Sequence, residues 1–123
     1  MKQASQTYLL SLTSREFEQI TLAIMLQSNK ALKLQGFGQC IARWLDQWST
    51  GELPMTEPWR TQDVEALPGY THQIYVGLAG ETIQLFKALR SALVEASALP
   101  VPVRTAIMAL VASFLAQHRP ESA

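Results

Sequence analysis

The stretch Thr7-Tyr-Leu-Leu-Ser-Leu-Thr-Ser-Arg-Glu16 marks the change from a strand to a helix. Tyr8, Leu10 and Leu12 stand at alternate positions, a spacing that predicts a short β-strand over residues 7–12 with this side buried. Residues 13–16 then have the Thr-x-x-Glu spacing of a capping box, in which the two side chains bond free amides at a helix start. We therefore expect the first helix to begin near Ser14.

Helical spacing of apolar residues follows along the rest of the chain. The first helix is predicted to end around residues 27–29, with a longer alternative that continues through Ala31, Leu32 and Leu34. The second helix, over residues 38–49, has the most regular apolar stripe. Thr71 is expected to cap a third helix, and a final helix begins at Val103 after two prolines. The fold class is therefore predicted to be mainly α, with about four amphipathic helices and one short N-terminal strand.

The chain of 123 residues has the length of a single domain. We divide it into a strand-helix-helix part over residues 1–50, an acidic connector with several prolines over residues 51–70, and a helical hairpin over residues 71–119. No internal repeat is evident in the sequence.

Composition and charge exclude several classes of protein. Apolar residues make up 48% of the chain and charged residues 16%, which excludes an intrinsically disordered protein. The formal net charge is zero, although residues 1–50 are mildly basic and residues 52–69 are acidic. A single cysteine excludes a disulfide framework, and no apolar run is long enough to span a bilayer. We expect a cytoplasmic protein that does not act at a membrane.

Residues suited to catalysis or metal binding are few. His72 and His118 have no partner at metal-ligand spacing, and no two carboxylates are placed for acid-base chemistry. Cys40 stands among apolar residues, which predicts a buried, unreactive thiol. We therefore expect no catalytic residue, no metal, no cofactor and no enzymatic activity.

The order of strand 7–12 and the helices near 14–27 and 38–49 resembles ribbon-helix-helix repressors. In that family two chains pair their strands, and the outward side chains of the ribbon enter the major groove of DNA. The resemblance implies a dimeric DNA-binding regulator that uses its N-terminal part. The implied contacts are Thr7, Leu9 and Ser11 on the ribbon, with Arg15, Lys30, Lys33 and Arg43 on phosphates.

A second resemblance concerns LuxR-type helix-turn-helix domains. Leu12-Thr-Ser-Arg-Glu-Phe-Glu18, followed by Ser28-Asn-Lys30, is similar to the opening of that family. The similarity ends at Lys30, and a helix-turn-helix would need an exposed polar face on helix 38–49.

Apolar stripes on two helices either form the core of one chain or supply a subunit interface, where tryptophan is enriched. The interface candidates are Phe37, Ile41, Trp44, Trp48, Ile107, Leu110 and Phe114. Since few charges cover these helices, we expect a homodimer or other homo-oligomer. The preferred function is a non-catalytic helical protein that acts through self-association and partner binding, with DNA binding as the alternative.

Overall fold

The computed structural model describes residues 5–55, 72–98 and 100–118. Two strands and four helices follow one another in this part of the chain, which confirms the prediction of a mainly α fold. Their bounds are β1 (Ser5–Leu12), α1 (Ser14–Ala31), α2 (Phe37–Ser49), β2 (His72–Ala79), α3 (Glu81–Ser97) and α4 (Val103–His118).

The start of α1 has the predicted capping box. The Thr13 hydroxyl accepts a hydrogen bond from the Glu16 amide at 3.1 Å, and the Glu16 carboxylate accepts one from the Thr13 amide at 3.0 Å. The helix continues past residues 27–29 to Ala31, and Leu32 ends it in the left-handed conformation, short of the longer alternative through Leu34.

Residues 72–79 form a strand, so the predicted start of the third helix at Thr71 is wrong. Val76 and Leu78 are buried, whereas Tyr75 and Gly77 beside them are exposed, which is the alternation of a half-buried strand. Apolar residues at positions 74, 76 and 78 alternate as in a strand, but positions 74 and 78 are also four residues apart. The same residues therefore fit a helical pattern as well. The helix begins only at Glu81, and the predicted hairpin of residues 71–119 loses its first turns to β2.

The two strands pair with each other in a two-stranded antiparallel sheet. Leu9 lies opposite Tyr75 near its centre, and Ser5 lies opposite Ala79 at one end. The ribbon that the first resemblance places between two chains is here formed within one chain. Since β1 and β2 are separated by two helices and the connector, no local turn sets their register.

The chain is built from two strand-helix-helix units: the first contains β1, α1 and α2, and the second contains β2, α3 and α4. Helix α4 of the second unit packs against β1 and α1 of the first. Helix α2 of the first unit packs in the same way against β2 and α3 of the second. A constant shift of 66 residues relates the buried positions of the two units. The equivalent pairs are Leu10 and Val76, Leu12 and Leu78, Ile20 and Phe86, Ala23 and Leu89, Ile41 and Ile107, Trp44 and Leu110, and Leu45 and Val111.

The ends of the first helices of the two units are related by the same shift of 66 residues. Leu32 at the end of α1 and Ala98 at the end of α3 are the two non-glycine residues with positive φ in the described part, at 57° and 61°. The structure therefore contains an approximate internal two-fold repeat that the sequence does not display, because burial and backbone conformation are repeated while residue identity is not.

The core lies between the ribbon and the helices, with α4 at its centre. Nine of ten consecutive positions from Ala106 to Leu115 are buried on this helix. The Trp44 ring packs 4.9 Å from the Phe114 ring, centroid to centroid, and its indole N–H donates to the Gln27 amide oxygen at 3.2 Å.

The first residues of the connector continue this packing. Leu53 is buried beside the end of α2, and the Gln117 side chain on α4 donates to the Glu52 carbonyl oxygen at 3.0 Å. The greater part of the connector predicted over 51–70, including Trp59, lies outside the described residues.

Candidate functional site

One side of the ribbon is open to solvent within the described part of the chain, and it forms the candidate site. The predicted residues Thr7, Leu9 and Ser11 all point to this side. From β2 they are joined by Gln73, Tyr75 and Gly77, which the sequence prediction missed. We call this set of six residues the ribbon face.

The alternation of the strands explains the ribbon face. Tyr8 and Leu10 turn into the core opposite Val76 and Ile74, so the intervening side chains must point outward. At the centre of the ribbon face, Leu9 is 49% exposed and Tyr75 is 74% exposed. The alternate apolar positions 74, 76 and 78 are the sequence signal that would have identified the β2 half.

The starts of α2 and α4 lie beside the ribbon. At Gly38, in the first turn of α2, an added Cβ atom would lie 2.6 Å from the Gly77 carbonyl oxygen, so helix and strand backbones nearly touch. At the equivalent position of α4, the Arg104 guanidinium forms an ion pair with the Glu16 carboxylate at the start of α1. The first turn of α2, whose amides have no acceptor within the helix, therefore lies close to one edge of the ribbon.

Among the described residues, few charged side chains lie near the ribbon face. Arg15, three residues beyond the end of β1, is exposed. Glu18 and Glu81 are exposed acidic residues near the starts of α1 and α3, and Arg104 is paired with Glu16. Hydroxyl, amide, phenol and aliphatic groups, rather than a basic patch, thus define the chemistry of this surface.

The structure separates two of the other predicted phosphate contacts, Lys30 and Lys33, from Arg15. Lys30 is in the last turn of α1, a helix about 27 Å long whose first residue follows β1. Its ammonium group donates to the His118 ring at 3.2 Å, at the far end of α4. Lys33 follows in the loop after α1, beyond the same end of the helix.

Arg43 lies on a different surface, a groove of about 650 Å³ between α1, α2 and the start of α3. Asp46 and Glu81 line this groove with Arg43 and Lys30, so acidic and basic groups balance there. The balance of charge does not favour a polyanion in the groove.

The predicted interface residues are packed inside the single chain. Five of them are fully buried, so they are not available to a second subunit, namely Ile41, Trp44, Ile107, Leu110 and Phe114. The remaining two candidates, Phe37 and Trp48, are half-buried against the same core. Of the two interpretations of the apolar stripes, the structure supports the core of one chain.

An exposed apolar loop was missed by the sequence prediction. Leu32 is 90% exposed and Leu34 is 92% exposed, and both are in the loop that joins α1 to α2. The only sequence signal is their position on either side of Lys33, after the end of a helix and before Gly36. We call residues 32–34 the leucine loop.

Both histidine rings stack on phenylalanine rings, and the cysteine is buried. His72 stacks on Phe17 with ring centroids 5.0 Å apart, and His118 stacks on Phe114 at 4.2 Å. Cys40 is fully buried in α2, and this burial raises the pKa of its thiol to about 11. The prediction of a buried thiol with low reactivity agrees with this environment.

Groups of acidic, histidine and cysteine side chains able to hold a metal ion are absent from residues 5–55, 72–98 and 100–118. None of the helices in these ranges is long and apolar enough to cross a membrane.

No protein-family model matches this chain, and neither does any curated protein or solved structure. The ribbon face and the leucine loop therefore have to be interpreted from their own chemistry.

Proposed function

We propose that this protein binds duplex DNA by placing the ribbon face in the major groove, and that it does so without catalytic activity. The observation that carries the proposal is an antiparallel ribbon whose outward side is exposed in the described part and carries hydrogen-bonding side chains. In ribbon-helix-helix repressors this unit needs two chains, whereas here β1 and β2 belong to one chain. The order strand-helix-helix, found twice along the chain, extends the N-terminal resemblance to the second half.

The dimensions and side chains of the ribbon suit the major groove. A two-stranded ribbon fits this groove, which is about 12 Å wide and displays the donors and acceptors of each base pair. The Gln73 amide has the donor and acceptor needed for adenine, and the hydroxyls of Thr7 and Ser11 bond to several base edges. Leu9 and Tyr75 offer apolar contacts for thymine methyl groups.

Backbone contacts to DNA come from the start of α2 beside the ribbon. The amides in its first turn are suited to phosphate oxygens, since the helix dipole favours anions there. Arg15 adds one positive charge beyond the end of β1. Because few cations are involved, we expect binding to weaken only moderately with added salt. We further propose a cytoplasmic location, where a free thiol such as that of Cys40 stays reduced.

The experiment is a selection of binding sites from random duplexes, followed by titration of the selected site at two salt concentrations. Gln73→Ala is expected to weaken binding about tenfold or more and to relax the preference at one base pair. The matched control is Gln84→Ala, which removes an exposed glutamine of α3 that is not part of the ribbon face. Absence of any selected site for the intact chain contradicts the proposal.

Basic residues provide a second arm of the same experiment. Arg15→Ala is expected to weaken binding to all sequences. It should also reduce the slope of the logarithm of affinity against the logarithm of salt concentration by about one. Lys33→Ala is the control, because the residue carries the same charge at the far end of α1. Equal losses in the two variants contradict the assigned orientation of the ribbon on DNA.

Self-association is a second candidate function, and the leucine loop is the observation that favours it. Two leucines exposed to this extent favour burial, which contributes roughly 1.5–3 kcal/mol for each fully buried side chain. We propose that the occupant is the leucine loop of a second copy. Lys30 next to the loop is directed to His118 at the end of α4, whereas Lys33 within the loop remains exposed.

A further inference from the structure

The ribbon face has an approximate two-fold axis that passes through its central pair, Leu9 and Tyr75. The shift of 66 residues that relates the two units also relates Thr7 to Gln73, Leu9 to Tyr75 and Ser11 to Gly77. None of these three equivalent pairs contains the same residue twice. The backbone of the ribbon is thus nearly symmetric, while its side chains are not.

The two ends of the ribbon face differ in what they offer to DNA. At one end Ser11 lies opposite Gln73, which supplies a hydroxyl and a primary amide side by side. At the other end Thr7 lies opposite Gly77, which supplies one hydroxyl next to bare backbone. The first end can bond two groups of a base pair at once, and the second permits a close approach with fewer hydrogen bonds.

The asymmetry extends into the core, so the two halves are complementary rather than interchangeable. Trp44 donates to Gln27, whereas the equivalent residues, Leu110 and Leu93, are both buried leucines. Trp44 also packs on Phe114 of the other unit. Each half therefore requires the other, and the two ends of the ribbon remain in a fixed relation.

We propose that one chain reads a single non-palindromic DNA site in one orientation, with its strictest base requirement beneath Ser11 and Gln73. The inference rests on the proposed DNA binding and specifies its substrate. Symmetric dimers read palindromes because their two halves present the same side chains. In this chain the halves present different side chains, and a palindrome can satisfy only one of them.

The first test compares three duplexes derived from the site obtained by selection: the site itself and the two palindromes made by duplicating either half. Both palindromes are expected to bind the wild-type chain about tenfold or more weakly than the selected site, since each mismatched base pair has a cost of this order. Failure to select any site overturns the DNA-binding proposal. A selected site that is itself palindromic, or a palindrome that binds equally well, overturns this inference while leaving DNA binding in place.

The second test makes the ribbon face symmetric. Gln73→Thr, Tyr75→Leu and Gly77→Ser together give β2 the outward side chains of β1. All three positions are exposed, and a Cβ atom at Gly77 meets no atom within 4 Å, so the triple variant should fold. A repeated selection is expected to yield a palindrome, and circular dichroism matching the wild type verifies the fold. An unchanged non-palindromic site in the folded variant contradicts the assignment of the ribbon face.

Discussion

The Cys40 thiol links burial of a single residue to the dependence of stability on pH. Burial raises the pKa of this thiol from an ordinary value of 9.0 to about 11. Between these values the folded chain keeps the proton that the unfolded chain releases, so the stabilising contribution is complete below pH 9 and is lost as the pH rises towards 11. The equivalent position in α4 is Ala106, a buried side chain without a thiol.

We therefore predict that the free energy of unfolding of the wild type falls between about pH 8 and pH 10.5 by about 1–2 kcal/mol more than that of Cys40→Ala. Urea unfolding of both proteins at the two pH values measures this difference. Comparing each protein with itself removes the cost of the smaller side chain. An equal fall in the two proteins would show that the thiol does not cause the pH dependence.

The close approach of helix α2 to strand β2 depends on Gly38. A methyl group there would lie 2.6 Å from the Gly77 carbonyl oxygen, a rigid backbone atom, so the helix would have to move. The strain of overpacking, about 1–3 kcal/mol, exceeds the gain of up to about 1 kcal/mol in helix propensity.

Gly38→Ala is accordingly predicted to destabilise the protein by about 1–2 kcal/mol, as measured by urea unfolding. Gly77→Ala is the matched control. Gly77 is the residue that Gly38 approaches, but a methyl group on Gly77 itself would meet no atom within 4 Å. This substitution is expected to change stability by no more than about 0.5 kcal/mol. Equal effects of the two substitutions would contradict the close packing of this helix on the ribbon.

The ribbon and the core are both completed inside one chain. Helices α2 and α4 each pack on the strand and first helix of the other unit, so the described core is formed by residues of a single chain. Association between chains must then use the outer surface, where the leucine loop is the most exposed apolar segment among the described residues.

Self-association is therefore predicted to be reversible and independent of folding. Sedimentation of the wild type over a range of concentrations should show a dimer, and Leu32→Ser with Leu34→Ser should be monomeric with an unchanged circular dichroism spectrum. Val94→Ser, at an exposed apolar position on α3, is the control and should remain dimeric. A wild type that stays monomeric at all concentrations would contradict the second candidate function.

The parts of the fold that could be predicted are those that depend on neighbouring residues. The capping box at Thr13 and Glu16 brings two side chains and two amides together within one turn, so it follows directly from the spacing. Alternation in β1 likewise assigned Thr7, Leu9 and Ser11 to one side, because adjacent side chains of a strand point in opposite directions.

Other features depend on contacts between distant residues and were not predicted. The apolar pattern of residues 74–78 fits a strand or a helix, and only pairing with β1 gives the backbone its hydrogen bonds as a strand. An apolar stripe shows that Trp44 must be buried, but the packing of α4 decides that it is buried within one chain.

Local elements and half of the ribbon face thus follow from the amino-acid sequence alone, because short-range sterics and hydrogen bonds act within a few residues. Packing between distant elements decides which strand completes the ribbon, and it places Lys30 near His118 instead of near Arg15. The internal two-fold repeat belongs to the same class, since it is a symmetry of packing that different side chains satisfy. The physical reason is that distance along the chain does not fix distance in space once helices as long as α1, about 27 Å, separate residues.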